Sequence, residues 1–559
     1  MKRESSVPAL KWLNAAIGHK KIYITGLCIV QVIQGANAIL LAWLLKMLVD
    51  SAVNGRSGDV RAWAIALALL TLAQVAVAYA SHWLNEAALS AFDNALKKRL
   101  FGTLMLKDYE QVTHIHSGEW LNRLTNDVTV VSSGLTGILP GLLGMLVRLF
   151  GAAGMIAFLT PRFVLFALPA VLGLVAFTVL YRGRLKKLHR RIQESDGQLR
   201  SFLTERLFSL MVIRSFSRNG EVLAEAEEKM DEHRRRRLKR NRYSNACSTL
   251  MYFATKGIYT ATAVYCVFGI VNGTVSYGTF TAMLQLITKI QDPVKNLSGY
   301  LPKYYAMIAS AERLMEAEGY DDDLTRPEKG AEEIRRFYDR EFRSLRLSGI
   351  CFSYRPADGT EAAVRVFDGM DLVIRRGEFI ALTGPSGRGK STVLKLLMCL
   401  YRPESGTRTV EGEDGIRELT GEYRGLFAYV PQGNQLMSGT IREVVTFGDR
   451  EAMRKPERIR RALEIACALD FVDGLEKGID TVLGERGAGL SEGQMQRLAI
   501  ARAVFTDRPV LLLDEATSSL DAATESRLLR NLREMTDKTV VIVTHRPAAV
   551  GMCDRQIAL

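Results

Sequence analysis

Phe379-Ile380-Ala381-Leu382-Thr383-Gly384-Pro385-Ser386-Gly387-Arg388-Gly389-Lys390-Ser391-Thr392 reads as an apolar strand, a glycine-rich turn and the start of a helix. Residues 384–391 fit the spacing G-x-x-x-x-G-K-[ST], and the run from Thr392 to Leu400 continues as a helix. The glycines let the backbone curl so that successive N–H groups point at phosphate oxygens, and the helix N-terminus adds its positive dipole end. Lys390 is placed to reach β- and γ-phosphates, and the Ser391 hydroxyl to hold Mg2+. Two further unbroken apolar runs, 510–513 and 540–543, suit strands of a parallel sheet buried on both faces, so an α/β domain is expected over 341–559. The first of these runs into Asp514-Glu515. Asp514 is suited to hold Mg2+, and Glu515, beside the γ-phosphate, to polarise an attacking water.

The rest of the chain is of another kind. Its 559 residues carry 74 Lys+Arg against 60 Asp+Glu, a net charge of +14, and are 48% hydrophobic with a mean hydropathy of +0.04. That length predicts roughly two to four domains. A hydropathy near zero reads as an average over two unlike halves. The seven cysteines lie far apart with no C-x-x-C pair, which excludes a disulfide scaffold or a zinc site, and the composition excludes disorder and collagen-like repetition.

Apolar runs of about 20 residues, the length that crosses a bilayer, occur only in the first half. They cover 22–49, 60–84, 135–159, 163–181, 250–271 and 280–301, the last interrupted by Lys289, Asp292, Pro293 and Lys295. A six-helix transmembrane domain over 1–317 follows, with 318–340 as a linker. The connections after the second and fourth spans are long and basic, with Arg182, Arg184, Lys186, Lys187, Arg190, Arg191 and the run Arg234 to Arg237 crowding the latter. By the positive-inside rule these connections, the N-terminus and the C-terminal half lie in the cytoplasm of a multi-pass membrane protein, with a bacterial inner or plasma membrane the expected location. That topology accounts for the basic run without a nucleic-acid partner. No small-residue cleavage site follows the first apolar run, so it is expected to be a retained span.

Leu490-Ser491-Glu492-Gly493-Gln494, upstream of Asp514, resembles the LSGGQ signature of ATP-binding cassette (ABC) proteins. Gln432 in Val430-Pro431-Gln432 resembles their Q-loop glutamine, His545 their switch histidine, and Ser519-Leu520-Asp521 their D-loop. Tyr354 holds the place of the aromatic residue that stacks on adenine. The membrane half resembles the six-helix domain of the ABC exporters, which include multidrug, lipid and peptide exporters. Ser117-Gly118-Glu119 with Arg123 and Asp127, and Glu205 with Val212-Ile213-Arg214-Ser215-Phe216, match stretches near that family's coupling helices. Gly484-Glu485-Arg486-Gly487 resembles the X-loop that touches those helices.

The resemblance implies an ATPase coupled to transport, with ATP and Mg2+ as cofactors. ATP is expected against Tyr354, Gly384, Ser386, Gly387, Arg388, Gly389, Lys390, Ser391, Thr392, Gln432 and Asp514, with Ser491 and the Gly493 backbone supplied by a second chain; Gln494 and Asp521 complete the set. Ser391, Gln432 and Asp514 are the expected Mg2+ ligands, and Glu515, His545 and Gln432 the catalytic residues. One membrane domain and one cassette make half a transporter, so a dimer with twelve crossings is implied. A homodimer is the first expectation and a heterodimer with unequal ATP sites the alternative. Closure around nucleotide would turn a cavity outward and hydrolysis would reset it, exporting an amphipathic drug, lipid or peptide. A non-transporting membrane ATPase or a regulated channel is the other class; importers usually carry the two domains on separate chains.

Three departures stand out. Glu492 replaces the first glycine of the signature pair, Arg388 replaces a usually small residue of the phosphate loop, and the chain ends soon after His545, where terminal helices are expected to be missing. Ionisable residues at membrane depth mark function by default. Arg148, Lys256, Lys289 and Lys295 are therefore candidates for a basic cavity wall favouring anionic or amphipathic cargo, against the simpler reading that such side chains snorkel to water.

Overall fold

The computed structural model describes residues 7–323, 328–354, 363–433, 435–484, 487 and 489–559, with the side chains of 292–298 and of several residues in 166–186 outside that set. Lys295, Asp292, Pro293, Arg182, Lys186, Glu485 and Arg486 thereby lie outside the described residues or side chains. The chain divides into two compact units, 1–100 with 122–315, and 101–121 with 316–559.

The first unit is helical. Six long helices, α1 (Lys21–Val53), α2 (Ser57–Leu106), α3 (Val128–Leu159), α4 (Pro161–Phe208), α5 (Asn219–Val271) and α6 (Tyr277–Glu316), carry the six expected spans. Among the described residues, four helices are long and apolar enough to cross a membrane. The other two, α4 and α6, are those holding undescribed side chains. At ~1.5 Å rise per residue a helix as long as α5 extends about 80 Å, more than twice the ~30 Å hydrocarbon layer, so its polar half must run into water. Large apolar side chains such as Phe158, Leu165, Leu180 and Val271 are exposed, as lipid contact allows. Interior packing joins Ala42, Ala152, Ile156, Cys266, Met283, Leu286 and Ile287. Helices α1 and α3 approach closely where both present glycine: a Cβ on Gly144 would meet the Gln31 Oε1 at 2.7 Å, and one on Gly35 the Val147 side chain at 2.8 Å.

Before α3 the helix opens into a π-helical turn, Arg123–Asp127. Asp127 is fully buried; it accepts bonds from the Ser310 hydroxyl at 2.8 Å and from Arg313 at 2.8 and 2.5 Å. Arg123 donates to the Arg313 carbonyl at 3.0 Å. Burial by itself raises a carboxyl, yet the Arg313 and Ser310 bonds outweigh it and hold Asp127 below its ordinary range. Arg123 and Asp127 therefore form an internal tie between the start of α3 and the end of α6.

The second unit holds two main sheets. Strands β1 (Phe342–Tyr354), β2 (Val364–Arg375), β4 (Ser405–Gly412) and β5 (Gly415–Glu418) form an antiparallel sheet in the order β2-β1-β4-β5. Strands β3 (Phe379–Thr383), β6 (Phe427–Val430), β9 (Val510–Asp514), β10 (Thr539–Val543) and β11 (Arg555–Ala558) form a parallel sheet in the order β11-β3-β10-β9-β6. A two-stranded pair, β7 (Gly439–Thr440) and β8 (Val482–Leu483), completes the set. Every residue of β9 and β10 is buried, as an unbroken β-branched and Leu run requires. Helices α7 (Ala331–Arg340), α8 (Lys390–Leu397), α9 (Glu492–Phe505) and α10 (Ala522–Arg533) lie among them.

Two stretches pack within the second unit. Residues 331–340, in the expected linker, are α7, with Ile334, Phe337 and Tyr338 buried among the strands of the antiparallel sheet. Residues 101–121 belong to the second unit by their contacts. There the short helix Tyr109–Thr113 is capped by the buried Asp108, which also pairs with Arg402 at 3.4 Å, while the Tyr109 ring lies 6.1 Å from Tyr401.

Candidate functional site

Register in the parallel sheet brings the site together. Val543 of β10 sits opposite both Leu382 of β3 and Asp514 of β9, so the three chains leave the sheet side by side at its C-terminal edge. Open α/β sheets bind ligands at that edge, because loops and helix N-termini converge there. After β3 the phosphate loop turns through Gly384, Gly387 and Gly389, all at positive φ. Gly389 is the most constrained: at φ 86° its absent Cβ would run into Phe367 and Val366. The backbone N–H groups of Gly387 and of Gly389 through Thr392 reach no acceptor among the described residues. This row of free donors at the start of α8 is an anion cradle.

Lys390 is buried and folds back, its ammonium donating to the Gly384 and Pro385 carbonyls at 2.9 and 3.0 Å. Ser391 donates to Asp514 Oδ1 at 2.9 Å, and Tyr429 donates to Asp514 Oδ2 at 3.1 Å. Asp514 is 1% exposed, and burial pushes its carboxyl above the ordinary range despite these two bonds. Burial and the Asp514 charge push the Tyr429 phenol upward in turn, so it stays a donor. The cluster of hard oxygens on Ser391 and Asp514 fits Mg2+.

Glu515 follows in a left-handed conformation, φ 51°, with its N–H held by the Val543 carbonyl at 3.1 Å. Such a backbone costs about 1–3 kcal/mol for a side-chain-bearing residue and aims the carboxylate out of the strand line. Gln432 donates to Glu515 Oε2 at 2.8 Å, and His545 Nε2 lies 3.6 Å from Glu515 Oε1. One carboxylate is thus flanked by an amide and an imidazole, able to orient a water between them. Gln432 touches Glu515 and not Ser391 or Asp514, the other two expected Mg2+ ligands.

Tyr354 ends β1. Its hydroxyl bonds the Thr392 hydroxyl at 2.8 Å, and its ring meets Tyr401 edge-on at 5.8 Å; Tyr401 in turn stacks on Phe352 at 5.4 Å. Burial pushes the Tyr354 phenol up. Ser386, Gly387 and Arg388 are exposed on the loop's outer side.

Ser491 caps α9 in a reciprocal capping box, accepting from the Gln494 N–H at 3.3 Å while Gln494 Oε1 accepts from the Ser491 N–H at 2.8 Å. Gln494 is therefore engaged in the cap. A Cβ on Gly493 would lie 2.9 Å from the Ser519 carbonyl, so the signature and the D-loop are in close contact. Gln496 donates to the Ser518 and Ser519 hydroxyls at 3.0 and 3.3 Å. Asp521 caps α10, accepting from the Ala523 and Thr524 N–H groups at 3.1 and 2.9 Å, and those bonds hold its carboxyl below the ordinary range. Next to His545, Arg546 donates to the Ser518 and Leu520 carbonyls at 2.6 and 2.7 Å and to the buried Glu525 at 3.0 Å. Bonds from Gln496 and Arg546 thus meet on the 518–521 loop, which also lies against Gly493, within one chain.

Sequence reasoning missed Tyr429, Tyr401, Gln496 and Arg546. Their roles come from strand order and packing, and nothing in the local spacing marks them. Within the expected spans, Arg148 donates to the Gly144 carbonyl at 3.2 Å and Lys256 sits over the Tyr252 and Tyr259 rings at 5.6 and 5.7 Å. Lys289 is half-buried, and among the described residues no carboxylate pairs with any of the three. In the second expected coupling stretch, the short helix Leu210–Ser215 and its flanks expose Phe208 by 88% and Met211 by 85%.

Residues 24–294 match the family model described as the ABC transporter transmembrane region, and residues 367–518 the model described as ABC transporter. The chain is 30% identical over 492 residues to ABC transporter B family member 1 of Dictyostelium discoideum, covering 84% of this chain and 50% of that one. It therefore spans half the length of that relative. It is 29% identical over 470 residues to an ATP-dependent lipid A-core flippase of Dechloromonas aromatica, covering 83% of this chain and 77% of the flippase. A solved bacterial Atm1-family ABC exporter with ATP bound shares the fold, with a TM-score of 0.77 at 21% identity over 98% of this chain and 94% of that one.

Proposed function

The chain belongs to the ABC transporter family, and from that premise we propose that it is a half-transporter that hydrolyses ATP to export an amphipathic substrate across the membrane it spans. The observation that carries this reading is the convergence, at one sheet edge, of the free N–H groups of the phosphate loop, the Ser391–Asp514 pair and the Gln432–Glu515–His545 cluster. We assign residues 1–317 to the membrane domain, 318–340 to the connection and 341–559 to the cassette, with the cassette and N-terminus cytoplasmic.

In this reading the loop N–H groups and Lys390 hold the β- and γ-phosphates, and Tyr354 lies against adenine. Lys390 must first leave the Gly384 and Pro385 carbonyls, which costs little because the phosphate replaces them with a stronger, charge-assisted partner. Ser391 and Asp514 are the residues suited to hold Mg2+, which when bound neutralises charge on the phosphates. Glu515 takes a proton from the attacking water, with Gln432 and His545 fixing its two oxygens. The partner's Ser491 and the partner's Gly493 close the site from across a dimer seam. The exposed Phe208 and Met211 support a partner chain, since apolar side chains on a cytoplasmic turn are costly to leave in water. Nucleotide binds the closed state better than the open one, and that difference is what shifts the equilibrium.

For cargo we favour a lipid with an anionic headgroup. The cations Arg148, Lys256 and Lys289, which meet no carboxylate among the described residues, support it, as does the relative whose name states that it flips lipid A core. Reconstituted chain is tested with lipids, drugs and peptides for stimulated hydrolysis. Glu515→Gln is expected to keep ATP binding and lose at least about 100-fold in turnover. Equal turnover in that variant defeats the hydrolytic assignment, and unchanged stimulation by lipid in Arg148→Ala/Lys289→Ala defeats the basic-cavity assignment.

A further inference from the structure

Two charged departures from the family pattern sit at the nucleotide site, Arg388 in the phosphate loop and Glu492 in the signature. Both are exposed, and neither side chain has a hydrogen bond or ion pair among the described residues. Their backbones are well held: the Arg388 N–H reaches the Pro385 carbonyl, and Glu492 opens α9 directly after the Ser491 cap. A carboxylate in a first helical turn is tolerated by the helix dipole, which accounts for Glu492 within a monomer. It does not account for Glu492 at a closed seam. In the proposed ATP sandwich, on which any role for these two charges at a seam depends, the signature of one chain meets the phosphate loop of the other.

At such a seam Glu492 brings a negative charge towards a triphosphate that is already strongly negative. Repulsion between like charges grows as water is expelled, so an uncompensated carboxylate there opposes closure. The same chain places the Arg388 guanidinium on the loop that the signature faces. The two departures have opposite sign and occur once each per chain. A twofold axis would then supply each seam with one of each. We propose that Arg388 of one chain pairs with Glu492 of a second copy of the same chain when the cassettes close on ATP. The pair cancels the charge penalty of the altered signature and makes a like copy the preferred partner. A chain with a small residue in its phosphate loop leaves Glu492 uncompensated, which is how charge discriminates between partners.

The test uses full-length chain in lipid nanodiscs, with Arg388→Glu, Glu492→Arg and the double variant, reading the ATP concentration for half-maximal hydrolysis. Each single variant places like charges at both seams and is expected to raise that concentration about tenfold, while the double variant returns to within about threefold of the parent. A mixed dimer, one chain Arg388→Glu and its mate Glu492→Arg, isolated through two different tags, places exchanged but still opposite charges at one seam and the parent pair at the other. It is expected to recover at least half of what the double variant does, although each of its chains is defective as a homodimer. Recovery in the mixed dimer is specific to pairing between chains.

If the double variant and the mixed dimer are no better than the singles, the pairing is overturned. A separate control distinguishes this from failure of the sandwich itself: dimers of Glu515→Gln chain should show ATP-dependent closure of their two cassettes by pulsed electron spin distance measurement. Closure without charge-swap recovery removes the Arg388–Glu492 pair alone. Absence of closure removes the sandwich and the pair together.

Discussion

Replacing Tyr429 by Phe takes one hydroxyl from the Asp514 pocket and leaves the ring that packs β6 against its neighbours. Asp514 then keeps only the Ser391 bond at 2.9 Å and loses the Tyr429 bond at 3.1 Å. A hydrogen bond to an ionised group contributes about 1.5–3 kcal/mol, and about 1.4 kcal/mol corresponds to one pKa unit. The variant should therefore raise the Asp514 carboxyl further beyond its already elevated position. Because Asp514 binds its proton more tightly folded than unfolded, its contribution to stability is full below the ordinary 3.8 and is lost as pH rises through the raised value. Tyr429→Phe extends that decline to higher pH and leaves the nucleotide-free protein less stable at neutral pH by about the same 1.5–3 kcal/mol. The assay is kcat/KM for Mg·ATP across about pH 5 to 9, beside thermal unfolding without nucleotide. The acid limb should move to higher pH while the alkaline limb stays put. An acid limb within about 0.3 units of the parent, with unfolding unchanged, refutes the claim that the Tyr429 hydroxyl acts on Asp514.

Three further outcomes are set by the geometry. Gly389→Ala must take a Cβ at φ 86° into Phe367 and Val366, so fluorescent-nucleotide affinity should fall at least about tenfold; parent-like affinity would show that the loop can relax. Arg546→Ala leaves the 2%-exposed Glu525 without its cation and should destabilise the protein by about 2–4 kcal/mol in denaturant unfolding. Arg546→Lys should recover less than half of that, since one ammonium cannot reach three acceptors in a planar fork; a full recovery or an unchanged midpoint contradicts the role given to Arg546. Asp127→Asn keeps the shape but weakens both Arg313 bonds, so heating in detergent should inactivate it earlier, by the equivalent of about 1–3 kcal/mol, while the parent rate would mean the tie carries no load.

The nucleotide motifs were legible because each is local. A phosphate loop needs its glycines, Lys390 and Ser391 within a few residues of one another, and a capped helix start such as Ser491 with Gln494 needs only a three-residue spacing. The six long helices were legible for a similar reason, since a bilayer demands apolar length that nothing else in a chain requires. The expected linker was less so: acid- and glycine-bearing residues hid the apolar stripe Ile334, Phe337 and Tyr338, which becomes visible as one face only once the segment is helical.

From residue order alone came the two unlike halves, the phosphate loop, the Asp514-Glu515 pair and the odd charges at Arg388 and Glu492. Folding decided which distant segments share an edge. Sheet order set β9 between β6 and β10, so that Tyr429 reaches Asp514, and His545 reaches Glu515. It also drew residues 101–121 to the second unit and tied Asp127 to Arg313 across nearly two hundred positions. The physical reason is that spacing along a chain encodes periodicity and turn chemistry, whereas strand pairing and the burial of charges are settled by the free energy of the whole packed unit.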